Sequence, residues 1–281
     1  EMRAALADYD AVMPTLGDLF RAEVFADVPG ARCKLLANFG VGFNHIDAAA
    51  AVAAGIAVTN TPGAVTDATA DIAMTLMLMS ARRASEGERM VRAGAWEGWH
   101  PTQMLGLHLS GKTVGIIGMG RIGQAIARRC HFGFGMEVLY FNRSQKTMTF
   151  PARQVAGLTE LAAQVDVLVV ATPGGAQTHH LVGAEVLAAM RPHGRVINIA
   201  RGDVVDEAAL IAALEAGQIG GAGLDVYEFE PKVPAALLAR EDVVLLPHLG
   251  TAALDVRISM GMMVVDNLEA HFAGRALPNP V

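Results

Sequence analysis

Short apolar runs alternate with helical stretches along most of the chain after residue 111. Apolar residues recur every three or four positions in the helical stretches, whereas the runs themselves are almost wholly apolar. Such runs are typical of parallel strands in a sheet that helices cover on both faces. The pattern predicts six strands, over residues 113–118, 137–141, 166–170, 195–199, 220–224 and 243–246. We therefore expect a doubly wound α/β sheet.

A smaller α/β pattern precedes these strands. It predicts strands over residues 10–13, 34–39 and 56–59, a helix over about 16–25, and an alanine-rich helix that ends at Ala54 and has Asp47 as its N-cap. A further helix over 253–272 closes the chain. If that helix packs on the first strands, the chain has two domains. The larger covers 66–253, and the smaller is discontinuous, over 1–65 and 254–281.

The segment that joins the two patterns predicts one long helix and an irregular loop. Apolar residues recur at helical spacing over 66–92. Residues 94–101 break that pattern and contain Trp96 and Trp99, which predicts a hinge or a protruding loop. Tryptophan on a loop can reflect ordinary packing, but it is also favoured at protein interfaces.

Composition narrows the classes of partner. Hydrophobic residues make up 52% of the chain, which is enough for a sizeable core. The net charge of −6 and the pI near 5.8 argue against nucleic acid or an anionic membrane as the main partner. No apolar run is long enough to span a membrane. Cys33 and Cys130 are far apart and form no metal-spaced pair, so we expect reduced thiols in a cytoplasmic protein and no metal site.

A glycine-rich turn follows the first strand of the larger domain. Gly118, Gly120 and Gly123 form a G-x-G-x-x-G pattern that opens a helical stretch, and a second strand follows it. The first glycine permits the tight turn, the second lets a pyrophosphate approach the backbone, and the third lets the helix pack closely on the strand. The phosphates would lie at the positive end of the helix. In this context the pattern predicts dinucleotide binding; alone it would be weak evidence.

The residues after the second strand bear on the choice of nicotinamide cofactor. An acidic residue about twenty positions past the glycines binds the ribose 2′-hydroxyl of NAD. This chain has Asn142 there, followed by Arg143 and Ser144. A guanidinium and a hydroxyl can hold a 2′-phosphate. We therefore predict that NADP(H) is preferred and NAD(H) possible; the alternative is a permissive site in which Arg143 is a solvated surface charge.

Polar residues follow three later strands, at the carboxyl ends where ligands bind in such sheets. They include Arg201, Glu230 and His248. Arg201 can bind the carboxylate of a 2-oxo acid in a forked pair and polarise the adjacent carbonyl. His248 can donate a proton to the carbonyl oxygen as hydride reaches the carbon. Glu230, as a neighbouring carboxylate, would orient the imidazole and favour its protonated form. The set predicts reduction of a small 2-oxo acid to a 2-hydroxy acid.

These motifs resemble those of the D-2-hydroxyacid dehydrogenases, and most of all those of the glyoxylate/hydroxypyruvate reductases. The resemblance covers nearly the whole chain and rests on residues 38–47, 114–123, 197–206, 224–231 and 247–251. It implies a Rossmann cofactor domain and a smaller, flavodoxin-like substrate domain that is incomplete at its N-terminus. It also implies that Arg201, Glu230 and His248 are the catalytic residues. Glu230 is chosen over Glu228 because it directly precedes Pro231.

The resemblance implies further contacts. Besides Arg201 and His248, the backbone N–H groups of Val41 and Gly42 would bind the substrate carboxylate. Asp225 would face the carboxamide of the nicotinamide. With the residues named above, the expected cofactor contacts are Gly118, Gly120, Arg121, Ile122, Gly123, Asn142, Arg143, Ser144, Thr172, Ile199, Ala200, Arg201, Asp225, His248 and Gly250.

The resemblance also implies a homodimer. Its interface would use the helix after Thr66 and the loop before Gly111. Trp99, on that loop, would then help to close the substrate pocket of the neighbouring copy.

Several alternatives stay open. The chain begins at Glu1 in mid-pattern, so we expect further residues before it. No regulatory domain follows Val281, which disfavours the phosphoglycerate dehydrogenases that carry one. Formate dehydrogenases share the fold but pair the histidine with Gln, and Glu230 argues against them. The remaining alternatives are an NAD-dependent D-2-hydroxyacid dehydrogenase of another substrate range and a non-catalytic, nucleotide-sensing scaffold.

Overall fold

The computed structural model describes residues 1–281, which divide into two compact units. One unit comprises Glu1–Thr66 and Thr251–Val281, and the other comprises Asp67–Gly250. The chain thus passes between the units after Thr66 and after Gly250, where the sequence pattern had suggested residues 65 and 253.

The elements follow one another along the chain. The strands are β1 (Ala11–Val12), β2 (Leu35–Ala37), β3 (Ala57–Thr59), β4 (Thr113–Ile117), β5 (Glu137–Phe141), β6 (Arg153–Gln154), β7 (Val167–Val170), β8 (Arg195–Asn198), β9 (Gly221–Leu224) and β10 (Val243–Leu245). The helices are α1 (Met2–Asp8), α2 (Ala22–Ala26), α3 (Ala48–Ala53), α4 (Thr66–Arg82), α5 (Ala84–Arg92), α6 (Arg121–Phe134), α7 (Leu158–Gln164), α8 (Ala184–Ala188), α9 (Glu207–Glu215), α10 (Ala235–Leu238) and α11 (Leu254–Phe272).

The larger unit is built on a parallel sheet of seven strands. Their order is β10-β9-β8-β7-β4-β5-β6, so the chain winds outwards in both directions from the β4/β7 pair. Alternate residues of a central strand serve opposite faces. In β7, Leu168 and Val170 join one buried apolar cluster, whereas Val167 and Val169 join the other. Burial on both faces explains why the strands read as continuous apolar runs.

The six predicted strands are present, and the seventh, β6, was not predicted. It pairs two residues, Arg153 and Gln154, with the outer edge of β5. A strand of two residues is too short to produce a periodic pattern, and one side of this strand lacks a neighbour. The count of six was therefore wrong by one edge strand.

The smaller unit has a parallel sheet in the order β1-β2-β3. Leu36 of β2 packs on one face in a cluster with Leu6 and Phe25. Leu35 and Ala37 face the other way and pack against Val264 of α11. The last helix therefore completes the core that the first strands begin, which makes this unit discontinuous.

The helix predicted over 16–25 is mostly absent. Asp18 Oδ2 accepts hydrogen bonds from the backbone N–H and the hydroxyl of Thr15, which closes a turn instead. Phe20 then pairs through its backbone with the segment around Ile46. Only α2 is helical here.

The N-cap predicted for the alanine-rich helix is confirmed, because Asp47 Oδ1 accepts from the N–H of Ala50 at 2.9 Å.

The long helix predicted over 66–92 is broken at Arg83, which has a φ of +53°. The carbonyl oxygen of Ala81 accepts a hydrogen bond of 2.7 Å from the N–H of Leu107. In a continuous helix that carbonyl would accept from Ser85. The returning loop thus replaces a helical hydrogen bond, and a new helix, α5, begins after the break.

None of the helices combines the length and apolarity that crossing a bilayer requires.

Candidate active site

The glycine-rich turn joins β4 to α6, and each glycine there meets a different steric demand. Gly118 has a φ of +95°, and a Cβ on it would lie 2.8 Å from the backbone of Ala171 and Thr172. A Cβ on Gly123 would lie 2.1 Å from the carbonyl oxygen of Gly118. Gly120, by contrast, faces open space, with no atom within 4 Å of a built Cβ. The turn therefore presents bare backbone at the N-terminus of α6, which fits a dinucleotide pyrophosphate.

Asn142, directly after β5, is bonded to the glycine turn. Its Oδ1 accepts from the N–H of Met119 at 3.1 Å, and its Nδ2 donates to the carbonyl of Ser144 at 2.7 Å. Arg143 is exposed and donates to the neutral side chain of Gln177 at 3.3 Å. No carboxylate pairs with this guanidinium. A cation, a hydroxyl and an amide thus stand where an NAD site has an acid.

The remaining predicted cofactor residues lie at or near the carboxyl ends of the same sheet. Arg121 and Ile122 begin α6, Thr172 follows β7, and Ile199 and Ala200 follow β8. These ends belong to strands that are neighbours in the sheet order. The structure therefore brings these residues together at the carboxyl-terminal end of the sheet.

Arg201 lies on a tight turn after β8 that Asn198 holds in shape. Asn198 is buried, accepts from the N–H of Ala200 at 3.0 Å, and donates to the carbonyl of Arg201 at 2.9 Å. Arg201 donates through Nη1 to the carbonyl of Ala200. Burial lowers the pKa of the Arg201 guanidinium, while Glu230 and Asp203 act in the opposite direction. Asn198 was not predicted as a functional residue, although an asparagine at a strand end is a common turn former.

Gly202 brings the Arg201 turn into direct contact with the loop that carries Glu230. A Cβ on Gly202 would lie 1.8 Å from the carbonyl carbon of Tyr227. Tyr227 is buried, and its hydroxyl donates to the carbonyl of Leu246 at 2.9 Å, just before His248. Its backbone N–H donates to Glu230 Oε1 at 3.1 Å. Gly202 and Tyr227 therefore hold the three strand-end loops together, and neither was predicted as a functional residue.

His248 and Glu230 form the centre of the site. Nδ1 of His248 donates to Glu230 Oε2 at 2.9 Å. Burial raises the pKa of the Glu230 carboxyl, but the hydrogen bond and charge of His248, the N–H of Tyr227 and the charge of Arg201 outweigh it, so the pKa falls below the usual range. Glu230 is thus ionised and fixes the orientation of the imidazole. Since Nδ1 is engaged, Nε2 is the ring nitrogen left for other chemistry.

Asp225 positions the turn on which His248 lies. Its side chain accepts from the N–H of Leu249 at 2.6 Å and of Gly250 at 2.8 Å, and its backbone carbonyl accepts from the N–H of His248. His248 has a φ of +56°, a left-handed conformation that few residues with a Cβ adopt. Asp225 was expected only to face the carboxamide of the nicotinamide. The structure shows that it also positions the turn that carries His248.

Val41 and Gly42 belong to the smaller unit, in the loop after β2. Asn38 Nδ2 donates to the carbonyls of Gly40 and Gly42, and Asn60 Nδ2 donates to the carbonyl of Val41. The N–H groups of Val41 and Gly42 donate to no acceptor within the structure. The carbonyls of this loop are satisfied, while two successive donors stay available.

Trp96 and Trp99 lie on the irregular segment after α5. Their exposed fractions are 55% and 78%. The segment packs on its own unit, where Met104 lies against Gly87 and Gln103 against Met90. The two indoles are not part of that packing, which leaves a large exposed aromatic surface.

One protein-family profile and two known proteins are similar to this chain in sequence. A sequence profile described as D-isomer specific 2-hydroxyacid dehydrogenase, NAD binding domain, matches residues 74–250. A glyoxylate reductase of Thermococcus gammatolerans is 43% identical over 280 residues, which cover 98% of this chain and 83% of that protein. A hydroxyphenylpyruvate reductase of Plectranthus scutellarioides is 44% identical over 260 residues, which cover 92% of this chain and 81% of that protein.

Among solved structures, an NADPH-dependent glyoxylate/hydroxypyruvate reductase of Sinorhizobium meliloti, in complex with NADP and malonate, superposes with a TM-score of 0.91. It is 41% identical, and the match covers 99% of this chain and 85% of that one.

Proposed function

The chain belongs to the D-isomer specific 2-hydroxyacid dehydrogenases, a family of NAD(P)-dependent oxidoreductases, and from that membership we propose that it is an NADPH-preferring reductase of small 2-oxo acids such as glyoxylate and hydroxypyruvate. The observation that carries the proposal is the hydrogen bond between His248 and Glu230, within the electrostatic reach of Arg201. A planar cation, an oriented imidazole and a fixed carboxylate are the groups that carbonyl reduction requires.

Each of these residues has a distinct part in the reaction. Arg201 binds the substrate carboxylate in a forked pair and polarises the neighbouring carbonyl. The nicotinamide cofactor supplies the hydride. Nε2 of His248 donates a proton to the carbonyl oxygen as negative charge develops there. Glu230 stabilises the imidazolium before that transfer and holds the ring through Nδ1. The available N–H groups of Val41 and Gly42 support the proposal that they bind a substrate carboxylate.

The NADPH preference rests on Asn142, Arg143 and Ser144. An ionised acid at position 142 would repel a 2′-phosphate, and the chain has none there. Arg143 is exposed, and its hydrogen-bond partner, Gln177, is neutral. The NADP complex of the Sinorhizobium reductase supports this assignment by analogy.

Arg143→Ala tests the cofactor assignment. We expect KM for NADPH to rise at least about tenfold, since a charge-assisted hydrogen bond is worth about 1.5–3 kcal/mol, and KM for NADH to stay nearly constant. Arg153→Ala is the matched control, because Arg153, on the edge strand β6, is also exposed and bonds a glutamine. A clear preference of the unmodified protein for NADH would refute the assignment.

The function itself is tested by following NADPH oxidation with glyoxylate, hydroxypyruvate, pyruvate and 4-hydroxyphenylpyruvate. We expect turnover of the small acids and loss of it in His248→Ala, with cofactor affinity retained. The similarity to the Plectranthus reductase favours an aromatic 2-oxo acid as the second candidate. A single methylene changes specificity by only about 1–3 kcal/mol, so the substrate range has to be measured. No turnover of any 2-oxo acid would favour the nucleotide-sensing scaffold instead.

A homodimer and a cytoplasmic location complete the proposal. The exposed Trp96 and Trp99 support an interface that includes their loop. Cys33 and Cys130 are buried free thiols, and burial raises the pKa of both, which suits a reducing compartment.

A further inference from the structure

A second cluster of chemically active side chains lies beside the Arg201 turn and is not used in the reaction. His179 and His180 follow β7, and Glu228 lies on the loop after β9. One ligand atom of each residue lies within 4.8 Å of the ligand atoms of the other two. Nε2 of His180 donates to Glu228 Oε1 at 2.9 Å, and the rings of His179 and His180 stack with their centroids 3.9 Å apart.

The backbone fixes this cluster in place. His180 has a φ of +50°, in the left-handed region that residues with a Cβ rarely adopt. Its N–H donates to the carbonyl of Asp203 at 2.7 Å, and the N–H of Val182 donates to the carbonyl of Val204 at 3.0 Å. Unfavourable backbone conformations persist where the surrounding structure holds them, and they concentrate at functional sites. Here the hydrogen bonds from the N–H groups of His180 and Val182 hold His180 in this conformation.

The local charge favours a cation. Asp206 Oδ2 lies 3.7 Å from Nδ1 of His180, on the side of the ring opposite the Glu228 contact. Glu228 bonds the other ring nitrogen, and Asp203, whose backbone carbonyl accepts from the N–H of His180, adds a third acidic residue. Three carboxylates therefore surround a pair of imidazoles, and the cluster carries a negative charge when the imidazoles are neutral.

We propose that His179, His180 and Glu228 bind a divalent transition-metal ion, for which Zn²⁺ is the natural probe. Two imidazole nitrogens and one carboxylate oxygen form a ligand set that Zn²⁺ accepts, with a water in the fourth position. Mg²⁺ and Ca²⁺ prefer ligand sets made only of oxygen. Bond lengths of about 2.0–2.2 Å put tetrahedral ligand atoms about 3.4 Å apart. The widest separation in the cluster, at most 4.8 Å, therefore has to shorten by up to about 1.4 Å, and the 2.9 Å contact between His180 and Glu228 has to lengthen slightly. His179 is exposed and can rotate to supply that movement.

The ion would join the loop after β7 to the loop after β9. Both loops contact the Arg201 turn, the first through the carbonyl of Asp203 and the second through Tyr227. The proposal needs no step of the 2-oxo acid reduction and stands independently of it.

Calorimetric titration of the chelator-treated, 281-residue chain with ZnCl₂ tests the proposal. We expect one saturable site, with an affinity reduced at least about tenfold in His179→Ala. His108→Ala is the matched control, because His108 is also an exposed histidine but lies outside the cluster. Both substitutions are on the surface, and circular dichroism will verify that each variant is folded.

Two further variants separate this cluster from the His248–Glu230 pair, which could also bind a metal. We expect Glu228→Gln to weaken Zn²⁺ binding and His248→Ala to leave it unchanged. Co²⁺ gives a second readout, a visible absorption band of a tetrahedral complex that disappears in His179→Ala. The proposal is overturned if the unmodified chain shows no saturable binding, if His179→Ala binds as tightly as it does, or if His248→Ala removes the site.

Discussion

At the scale of single residues, the proposed mechanism depends on the contact between His248 and Glu230. The carboxylate accepts from Nδ1 and fixes the orientation of the ring. An amide at position 230 would keep most of the shape and remove the charge. The two effects of Glu230, orientation and charge, can therefore be separated by one isosteric substitution.

Glu230→Gln should lower kcat/KM for reduction wherever Glu230 is ionised, because the amide keeps an acceptor for Nδ1 of His248 but removes the negative charge. Since the pKa of the Glu230 carboxyl lies below its usual range, this loss should persist into mildly acidic solution. The profile should be measured with NADPH and glyoxylate over about pH 5 to 9. Glu185→Gln, an exposed glutamate on α8, is the control. A profile that overlays that of the unmodified protein would show that the charge of Glu230 is irrelevant.

Sequence patterns single out Arg201, Glu230 and His248 as candidates because each follows an apolar strand and belongs to a residue class with evident chemistry. They could not assign the residues that hold these three in place. Asp225 was expected to face the cofactor, yet its side chain also accepts from N–H groups that lie 24 and 25 positions further along the chain. Such a contact exists only once β9 and β10 are adjacent, and no local pattern encodes it.

At the scale of elements, the close approach of the Arg201 turn to the loop after β9 aligns the site. Gly202 allows that approach because it has no Cβ, and a methyl group there would overlap the backbone of Tyr227. Backbone atoms cannot move aside as the end of a flexible side chain can. The two loops would have to separate.

Gly202→Ala should therefore lower both stability and activity. We expect a loss of about 1–3 kcal/mol in the free energy of unfolding, typical of overpacking, measured by urea denaturation. The fall in kcat/KM should exceed that caused by the control Gly133→Ala. Gly133 lies within α6 and has open space around a built Cβ, so alanine there should be neutral or stabilising. Equal behaviour of the two variants would mean that the loops adjust without cost.

Asp166, just before β7, fixes the amino ends of the central strands. It is buried and accepts from the N–H of Thr113 and from the side chains of Arg191 and His193. Burial raises the pKa of its carboxyl, but these three donors outweigh burial, so the pKa lies below the ordinary value. A carboxyl with a lowered pKa stabilises the folded state at pH values above its unfolded pKa, and this contribution is lost as the pH falls through the folded pKa.

Asp166→Asn should destabilise the larger unit at neutral pH by about 1–3 kcal/mol, because an amide cannot accept all three hydrogen bonds. The difference from the unmodified chain should shrink below about pH 4, where the ordinary aspartate carboxyl begins to protonate. Urea denaturation at neutral and acidic pH measures it. A difference that is constant over this range would show that the ionisation of Asp166 does not contribute.

The elements themselves were predictable where burial alone decides them. The six apolar strands of the larger sheet are of that kind. The cap at Asp47 was predictable because it depends only on a residue three positions away, Ala50. The break at Arg83 was not predictable, because it depends on a hydrogen bond to Ala81 from Leu107. The absent helix after Leu16 likewise reflects a side-chain turn at Asp18 and a backbone pairing with a distant segment.

At the scale of the whole molecule, the exposed tryptophans are the feature that a single copy leaves unexplained. If the chain forms the expected homodimer, light scattering should give twice the mass of 29.5 kDa. If Trp99 closes the substrate pocket of the neighbouring copy, Trp99→Ala should raise KM for the 2-oxo acid while the mass stays that of a dimer.

Mixed dimers test this assignment directly. Co-expression of Arg201→Ala and Trp99→Ala chains gives a heterodimer in which one site has an intact Arg201 and receives Trp99 from its neighbour. That site should show the KM of the unmodified protein. A KM like that of the Trp99→Ala homodimer would assign Trp99 to its own subunit's pocket or to no pocket.

The dependence of β2 on α11 also sets the order in which the units can mature during synthesis. Leu35 and Ala37 pack against Val264, which the ribosome adds more than two hundred residues later. At about 5–20 residues per second, roughly 10–50 s separate these events, while the contiguous larger unit can fold as it emerges. Nascent chains that end before α11 should therefore stay sensitive to protease over the first 66 residues, even when residues 67–250 already resist it.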